Sequence, residues 1–135
     1  VMGGRPTGLS LAFVIEEGFP IADLLKIAQS IAKICQKENV PVVTGDTKVT
    51  EKGKLDKIMI NTAGLGWAKQ VISDRGLRAG DLICANGRLG EHGAVILANR
   101  FNYKTKLKSD CGTFLNEFSK ISKYITAAKD PTRGG

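Results

Sequence analysis

The sequence predicts an α/β protein built from two units. Three observations support this class. Apolar residues alternate with polar ones from Leu9 to Ile15, an apolar stripe with a helical period follows from Ile21 to Cys35, and the order of strand, glycine loop and helix begins again at Asp81. The 135 residues are 42% hydrophobic and 24% charged, which is the balance of an ordinary globular protein.

The first unit is predicted to run from a strand through a helix to a second strand. The period of two in residues 9–15 gives a strand with one fully apolar face, and Gly18 and Pro20 end it. The helix that follows is predicted to end at Asn39. Its apolar positions share one stripe, namely Ile21, Leu24, Leu25, Ala28, Ile31, Ala32 and Cys35.

Two further strands are predicted in this unit. Residues 40–43 indicate a short buried strand that delivers the chain to residues 44–47, and residues 57–62 alternate again. We expect residues 63–66 to be a flexible glycine segment. The polar stretch from Ser73 to Gly80 is the best candidate for a domain boundary, which divides the chain into residues 1–76 and 77–135.

The second unit is predicted to repeat the same order of elements. A strand at 81–85, a glycine-punctuated loop at 86–93 and a helix at 94–100 follow one another. We expect Ser109 or Asp110 to cap a further helix. The apolar positions of that helix recur at spacings of three and four, at Phe114, Leu115, Phe118, Ile121 and Ile125.

Composition excludes several classes of function. The net charge of +7 comes from scattered lysines with few aromatic residues, so a dedicated nucleic-acid surface is not expected. The three cysteines, Cys35, Cys84 and Cys111, are predicted to be small buried apolar residues in a reducing compartment. No apolar run is long enough to span a membrane, and residues 1–6 are no signal peptide. The sequence therefore predicts a cytoplasmic protein without a membrane partner.

The most informative segment for chemistry is residues 44–48. It places Gly45, Asp46, Thr47 and Lys48 at the predicted exit of a buried strand, where α/β sheets bind ligands. Asp46 could hold Mg²⁺, and Thr47 with Lys48 could contact phosphate oxygens. An ordinary turn in which Asp46 bonds to nearby amides remains open as the alternative.

Two other segments carry chemical side chains. Residues 87–93 open a helix, so their amides form a candidate anion site, and His92, the only histidine, could donate to phosphate or act as an acid or base. A packing or capping role for His92 is equally open. Asp130 and Arg133 combine a candidate metal carboxylate with an arginine fork suited to phosphate, or belong to a frayed end.

Seven motifs in order resemble the HypE family of hydrogenase expression/formation proteins, within the PurM-like, AIR synthetase-related superfamily. The motifs are Met2-Gly3-Gly4-Arg5-Pro6, Phe13-Val14-Ile15-Glu16-Glu17-Gly18, Val43-Thr44-Gly45-Asp46-Thr47-Lys48-Val49, Asn61-Thr62-Ala63-Gly64, Gly90-Glu91-His92-Gly93, Ser109-Asp110-Cys111 and Asp130-Pro131-Thr132-Arg133-Gly134-Gly135. Glu91 departs from the family's usual Asp.

The resemblance implies a two-domain α/β architecture with a mixed sheet and flanking helices, incomplete here at both ends. Residues 1–76 would be most of an ATP-binding, dimerising amino-terminal domain, and residues 77–135 the beginning of a carboxy-terminal domain. It also implies ATP-dependent dehydration of a carbamoylated carboxy-terminal cysteine to a thiocyanate, which supplies cyanide to the iron of NiFe hydrogenase. The implied partners are a second copy of the chain, the carbamoyltransferase HypF and the HypC–HypD complex.

The same resemblance assigns residues to this chemistry. Asp46 and Asp130 match acidic positions that the family uses for Mg²⁺ and ATP, and Thr47, Lys48 and His92 would contact phosphate or substrate. The cysteine-bearing tail has no counterpart among the cysteines of this chain, so the chain by itself is expected to be inactive. Two alternatives remain open: another PurM-like ATP-dependent enzyme, of the selenophosphate or aminoimidazole ribonucleotide synthetase type, and a non-catalytic dimerisation fragment.

Overall fold

The computed structural model describes residues 2–131. Contacts divide the chain into two compact units, one formed by residues 4–69 and the other by residues 1–3 together with 70–135. The α/β class expected from the sequence is confirmed, and both the mixed sheet and the helices are present.

A three-stranded mixed sheet forms the frame of the unit at residues 4–69. Strand β1 (Arg5–Glu16) lies in the centre, β2 (Val42–Thr50) pairs with it in parallel, and β3 (Ile58–Trp67) pairs with it antiparallel. The parallel pair needs a long crossover, which helix α1 provides, whereas the antiparallel pair does not. Residues 9–15, predicted as a strand, form the second half of β1.

Helix α1 (Ile21–Glu38) follows the prediction closely. It ends at Asn39, which adopts the left-handed conformation with φ 54° and ψ 46°, and the Asn39 and Val40 amides return to carbonyls of the last turn. Asparagine tolerates this conformation better than most residues, so Asn39 ends the helix as predicted. The less exposed apolar positions are Leu24, Ile27, Ile31 and Cys35, which shifts the predicted stripe towards Ile27.

The connection from β1 through α1 to β2 is a βαβ unit. Such crossovers are right-handed in nearly all proteins, and with this hydrogen-bond register that places α1 over the odd-numbered side chains of β1. This face is the apolar face predicted from the sequence, and Ile15 on it is only 7% exposed. The even-numbered side chains of β1 point to the opposite face of the sheet.

Two predictions for this unit were wrong. The expected short strand at 40–43 is instead β2, which begins at Val42 and continues to Thr50, and both Val42 and Val43 are exposed. The expected flexible segment 63–66 lies within β3. In both cases β1 offers a partner strand, with one irregularity in each ladder, and the backbone hydrogen bonds override the weak strand propensity of the glycines.

The other unit contains helix α2 (Glu91–Arg100), helix α3 (Leu115–Ile121) and a 3₁₀ turn at Ser122–Tyr124. The predicted helix at 94–100 is thus present and begins three residues earlier. The predicted strand at 81–85 is not formed. Leu82 and Ile83 are 91% and 86% exposed, and the part of this unit that the structure describes contains no strand with which they could pair.

Helix α3 corrects the predicted cap. Its first residue is Leu115, so Ser109 and Asp110 lie too far from its amides to cap it, and it passes into the 3₁₀ turn after Ile121. The expectation of buried cysteines was wrong for two of them, because Cys84 and Cys111 are exposed and Cys35 is half-buried. Among the helices of residues 2–131, none has the length and hydropathy needed to cross a membrane.

Asp81 joins two distant stretches of this unit. The Thr126 hydroxyl donates to the Asp81 carboxylate at 2.6 Å, and the Arg78 amide donates to the same oxygen at 3.0 Å. These hydrogen bonds, with that from Thr126 the stronger cause, hold the pKa of Asp81 below its ordinary value of 3.8. The contact fixes residues 78–81 against the turn that follows the 3₁₀ segment.

Candidate functional site on strand β2

Asp46 lies in the middle of strand β2, which corrects the prediction that it stands beyond the end of a strand. It is exposed and lies opposite Ala12 of β1, and Ala12 in turn lies opposite Asn61 of β3. Side chains that are paired across a sheet project from the same face. Asp46, Ala12 and Asn61 therefore form one row across the sheet.

Lys48 joins this row because side chains two residues apart in a strand share a face. The shared face carries the even-numbered residues of β2 and the odd-numbered residues of β3. The spacing between strands puts the Cα atoms of Asp46 and Asn61 about 10 Å apart, with only the methyl group of Ala12 between their side chains. We name Asp46, Lys48 and Asn61 the β2 polar row.

The β2 polar row combines three different polar groups. Asp46 offers carboxylate oxygens, Lys48 offers an ammonium group and Asn61 offers both an amide donor and an amide acceptor. All three residues are exposed, and they lie on the face opposite to the one that the handedness of the crossover assigns to α1. This arrangement suits a ligand that brings both negative charge and a metal ion.

Thr47 occupies a different position from its neighbours. It lies opposite Phe13, so its side chain points to the face on which the apolar residues of β1 lie. Its backbone amide donates to the Asp46 carboxylate at 2.8 Å, which orients that carboxylate. The predicted contact between Thr47 and phosphate would therefore require the ligand to reach the other side of the sheet, and the assignment stays a prediction.

The close approach of β1 and β2 accounts for the glycine at position 45. A Cβ atom built on Gly45 would lie 2.6 Å from the carbonyl oxygen of Leu11, which is closer than real Cβ contacts. The glycine thus allows β1 and β2 to approach each other just before Asp46. A contact between Gly45 and a nucleotide, as predicted, remains untested.

Sequence reasoning missed Asn61 as a site residue. In the sequence, the segment Asn61-Thr62-Ala63-Gly64 is recognisable only as one of the ordered motifs. Asn61 is 15 residues from Asp46 in the chain, and only the register of β3 on β1 brings both residues to the same row. A polar residue in the middle of an otherwise apolar alternation was the one signal that could have identified it.

The donor set of the β2 polar row fits a metal that arrives with a nucleotide. Within residues 2–131 there is no group of three or more His, Cys, Asp or Glu side chains placed to hold a metal ion by themselves. Mg²⁺ is usually bound through one or two carboxylates together with substrate phosphates and water. Asp46 can supply such a carboxylate, and Lys48 can supply the cation for a phosphate.

Two depressions in the surface of residues 2–131 lie away from this row. One, of about 490 Å³, is lined by Glu16, Glu17, Lys52 and Lys57 at the end of β1, and one of about 290 Å³ lies in the other unit around Gln70 and Tyr124. Neither includes Asp46, His92 or Asp130. The first sets two carboxylates against two ammonium groups, so it offers an anion no net attraction, and we assign the candidate site to the β2 polar row.

His92 lies in the first turn of α2, in the other unit. Its amide donates to the Asp110 carboxylate at 3.0 Å, and its ring nitrogen Nδ1 lies 3.0 Å from the Ser109 hydroxyl oxygen. Asp110 therefore caps α2 instead of α3. Because the Asp110 carboxylate already accepts the His92 amide hydrogen, that amide is not available to an anion, and the predicted anion site at the amides of residues 87–93 stays a prediction.

The last predicted segment is only partly described. Asp130 is exposed and lies in an irregular stretch of the unit formed by residues 1–3 and 70–135, and Lys129 before it pairs with Asp74 at 3.9 Å. Arg133 lies outside the described residues. The roles of Asp130 and Arg133 in binding ATP or a metal stay predictions.

Comparison with known proteins points to one family. The model of the AIR synthase related protein, N-terminal domain, matches residues 1–68. The carbamoyl dehydratase HypE of Cupriavidus necator is 40% identical over 140 residues, which covers 98% of this chain and 40% of that protein. The chain thus spans about 40% of the length of the curated relatives it matches.

Solved structures agree with the sequence comparison. The HypE–HypF complex superposes with a TM-score of 0.92 at 36% identity, covering 99% of this chain and 46% of that chain. HypE in complex with ATP superposes with a TM-score of 0.92 at 35% identity, covering 99% of this chain and 42% of that chain.

Proposed function

Because the chain belongs to the AIR synthase-related family and its expected resemblance to HypE proteins is confirmed, we propose that it is part of an ATP-dependent carbamoyl dehydratase that serves hydrogenase maturation. The observation that carries the proposal is the β2 polar row, in which one face of a strand presents a carboxylate and an ammonium group two residues apart. A neighbouring fold in complex with ATP supports a nucleotide as the ligand.

We assign the nucleotide chemistry to residues of this row. Asp46 would hold Mg²⁺ against the phosphates, Lys48 would neutralise phosphate charge, and Asn61 would hydrogen-bond to the ligand or to a water on the metal. The metal would stabilise the negative charge of the phosphates, and such stabilisation is a main part of the catalysis of phosphoryl transfer. Asp130 and Arg133 are also proposed to bind ATP, as the resemblance to the family implies.

The reaction we propose has a clear chemical need for ATP. The oxygen of a carbamoyl group on a thiol is a poor leaving group until ATP phosphorylates it. Loss of the phosphate, with loss of the two protons on nitrogen, then turns the carboxamide into a thiocyanate. In the whole protein a cysteine near the carboxy terminus would carry the carbamoyl group. The cyano group formed on it would pass to the iron of a NiFe centre.

The proposed partners follow from the same function. HypF would supply the carbamoyl group and the HypC–HypD complex would receive the cyanide, in the cytoplasm. A structural neighbour in complex with HypF supports the first of these.

A second copy of the chain is proposed to pack on the sheet, because large apolar side chains of β3 that share one face are exposed, among them Met59 and Leu65. Sedimentation velocity should give the mass of a dimer, and a monomer at high protein concentration would contradict this part.

Lys48→Met is expected to weaken binding of Mg-ATP by about 10- to 100-fold, since a charge-assisted hydrogen bond is worth roughly 1.5–3 kcal/mol. Methionine keeps the length and apolar stem of the side chain and removes only the charge. Isothermal titration of the wild-type and variant proteins with Mg-ATP measures the change.

Lys54→Met is a matched control because Lys54 is an exposed lysine of the turn after β2 in the same unit. It should bind Mg-ATP like the wild type. Equal losses in both variants would mean that Lys48 acts only through the general positive charge of the protein, and the proposed site would be wrong.

A further inference from the structure

His92 is held at two points by residues that follow it by 17 and 18 positions. Its amide donates to the Asp110 carboxylate at 3.0 Å, and its Nδ1 atom lies 3.0 Å from the Ser109 hydroxyl oxygen. Helix α2 has no cap of its own, because the residue before it is Gly90 in the left-handed conformation. The backbone and the ring of one residue are thus fixed by two consecutive side chains from the loop before α3.

The hydrogen bonds of Ser109 favour one position for the imidazole proton. The Ser109 oxygen already accepts the amide hydrogen of Cys111 at 3.1 Å. Its own hydroxyl hydrogen still needs an acceptor, and the nearby Nδ1 atom of neutral His92 can provide one. This pattern satisfies both groups when the imidazole carries its proton on Nε2.

We propose that Ser109 and Asp110 are positioning residues for His92, and that they hold its neutral ring with a protonated Nε2 as a donor to a phosphoryl oxygen. The ring edge that bears Nε2 lies away from Ser109, and His92 is exposed, so a ligand can reach it. This inference rests on the proposed function for the identity of the ligand. The positions of the proton and of the ring do not depend on it.

The chain offers a direct test because His92 is its only histidine. A long-range ¹H–¹⁵N correlation spectrum of the imidazole, recorded at about pH 9, above the usual titration range of histidine, shows which nitrogen is protonated. We expect one tautomer, protonated on Nε2. A wild-type spectrum with the proton on Nδ1 would overturn the proposal.

Two variants separate positioning from folding. In Ser109→Ala the two ring nitrogen shifts should move towards each other, as in a freely exchanging imidazole, whereas Ser109→Thr keeps the hydroxyl and should retain the wild-type shifts. Backbone amide spectra recorded in parallel show whether each variant is folded. Unchanged imidazole shifts in folded Ser109→Ala would refute the role of Ser109.

Asp110 is tested by the same measurement. Asp110→Asn keeps an oxygen that can accept the His92 amide and should resemble the wild type, because asparagine is as good a cap as aspartate. Asp110→Ala should shift the His92 amide and broaden the imidazole signals. An unchanged His92 amide in Asp110→Ala would refute the role of Asp110.

Addition of Mg-ATP distinguishes this inference from the proposed function. We expect the Nε2 signal to shift in the wild type and to shift less in Ser109→Ala. A fixed Nε2 tautomer that does not respond to Mg-ATP would remove His92 from the nucleotide contacts while the positioning by Ser109 and Asp110 stands. A response to Mg-ATP that is the same in both proteins would show that the contact does not need Ser109.

Discussion

Asp46→Asn is expected to lower ATP turnover by about 10²- to 10³-fold, which is the range seen when one electrostatic contact to a transition state is removed. The amide has nearly the shape of the carboxylate and can still accept the Thr47 amide, so the strand should be unchanged. The loss would come from the missing charge towards Mg²⁺. The effect is measured as the rate of phosphate release from ATP. The assay uses a protein of the relatives' length that includes these 135 residues and carries the carbamoylated cysteine.

The control for Asp46 is Asp56→Asn. Asp56 is an exposed carboxylate of the same unit, in the turn between β2 and β3, so the chemical change is identical and only its place differs. Turnover by this variant should equal that of the wild type. If Asp46→Asn also retained normal turnover, the β2 polar row would not be the site of the nucleotide chemistry.

Gly45→Ala is expected to destabilise the fold by about 1–3 kcal/mol, the usual cost of overpacking a close contact. The added methyl group would lie 2.6 Å from the Leu11 carbonyl oxygen, and this oxygen belongs to the backbone of the central strand and cannot rotate away. The two strands would have to separate at the position next to Asp46. Urea unfolding of the 135-residue chain measures the change in the free energy of unfolding.

Gly87→Ala provides the matched comparison. A Cβ atom at Gly87 would meet no heavy atom within 4 Å, and Gly87 does not have a positive φ. This variant should be as stable as the wild type. Equal unfolding midpoints for Gly45→Ala and the wild type would show that β1 and β2 can separate without cost, and our explanation of Gly45 would fail.

Elements defined by local pattern were predictable from the sequence. The helix that begins at Ile21 was expected from its apolar period, and Asn39 ends it because of its own backbone preference. The alternation of residues 9–15 likewise identified β1. These features depend on neighbours within a few residues, which is the information that a single sequence carries best.

The site was less predictable because it depends on pairing between distant strands. A Gly-Asp pair favours a turn by local preference, yet β1 pairs with residues 44–50 and keeps them extended. The position of Asn61 in the same row as Asp46, and of Ser109 and Asp110 beside His92, also depends on residues 15 to 18 positions apart in the chain. Local sequence patterns carry no information on which of these residues lie together in space.

Side chains alternate between the two faces of β2, so the number of residues that precede Asp46 in the strand determines which face Asp46 occupies. Since the side-chain period of a strand is two, one extra residue between Gly45 and Asp46 would exchange the two sides of the sheet from that point onwards. The carboxylate would then turn to the side of Leu11 and Phe13, away from Asn61, while a threonine would take its place in the β2 polar row. Evolution of this segment is therefore expected to accept substitutions far more readily than insertions or deletions.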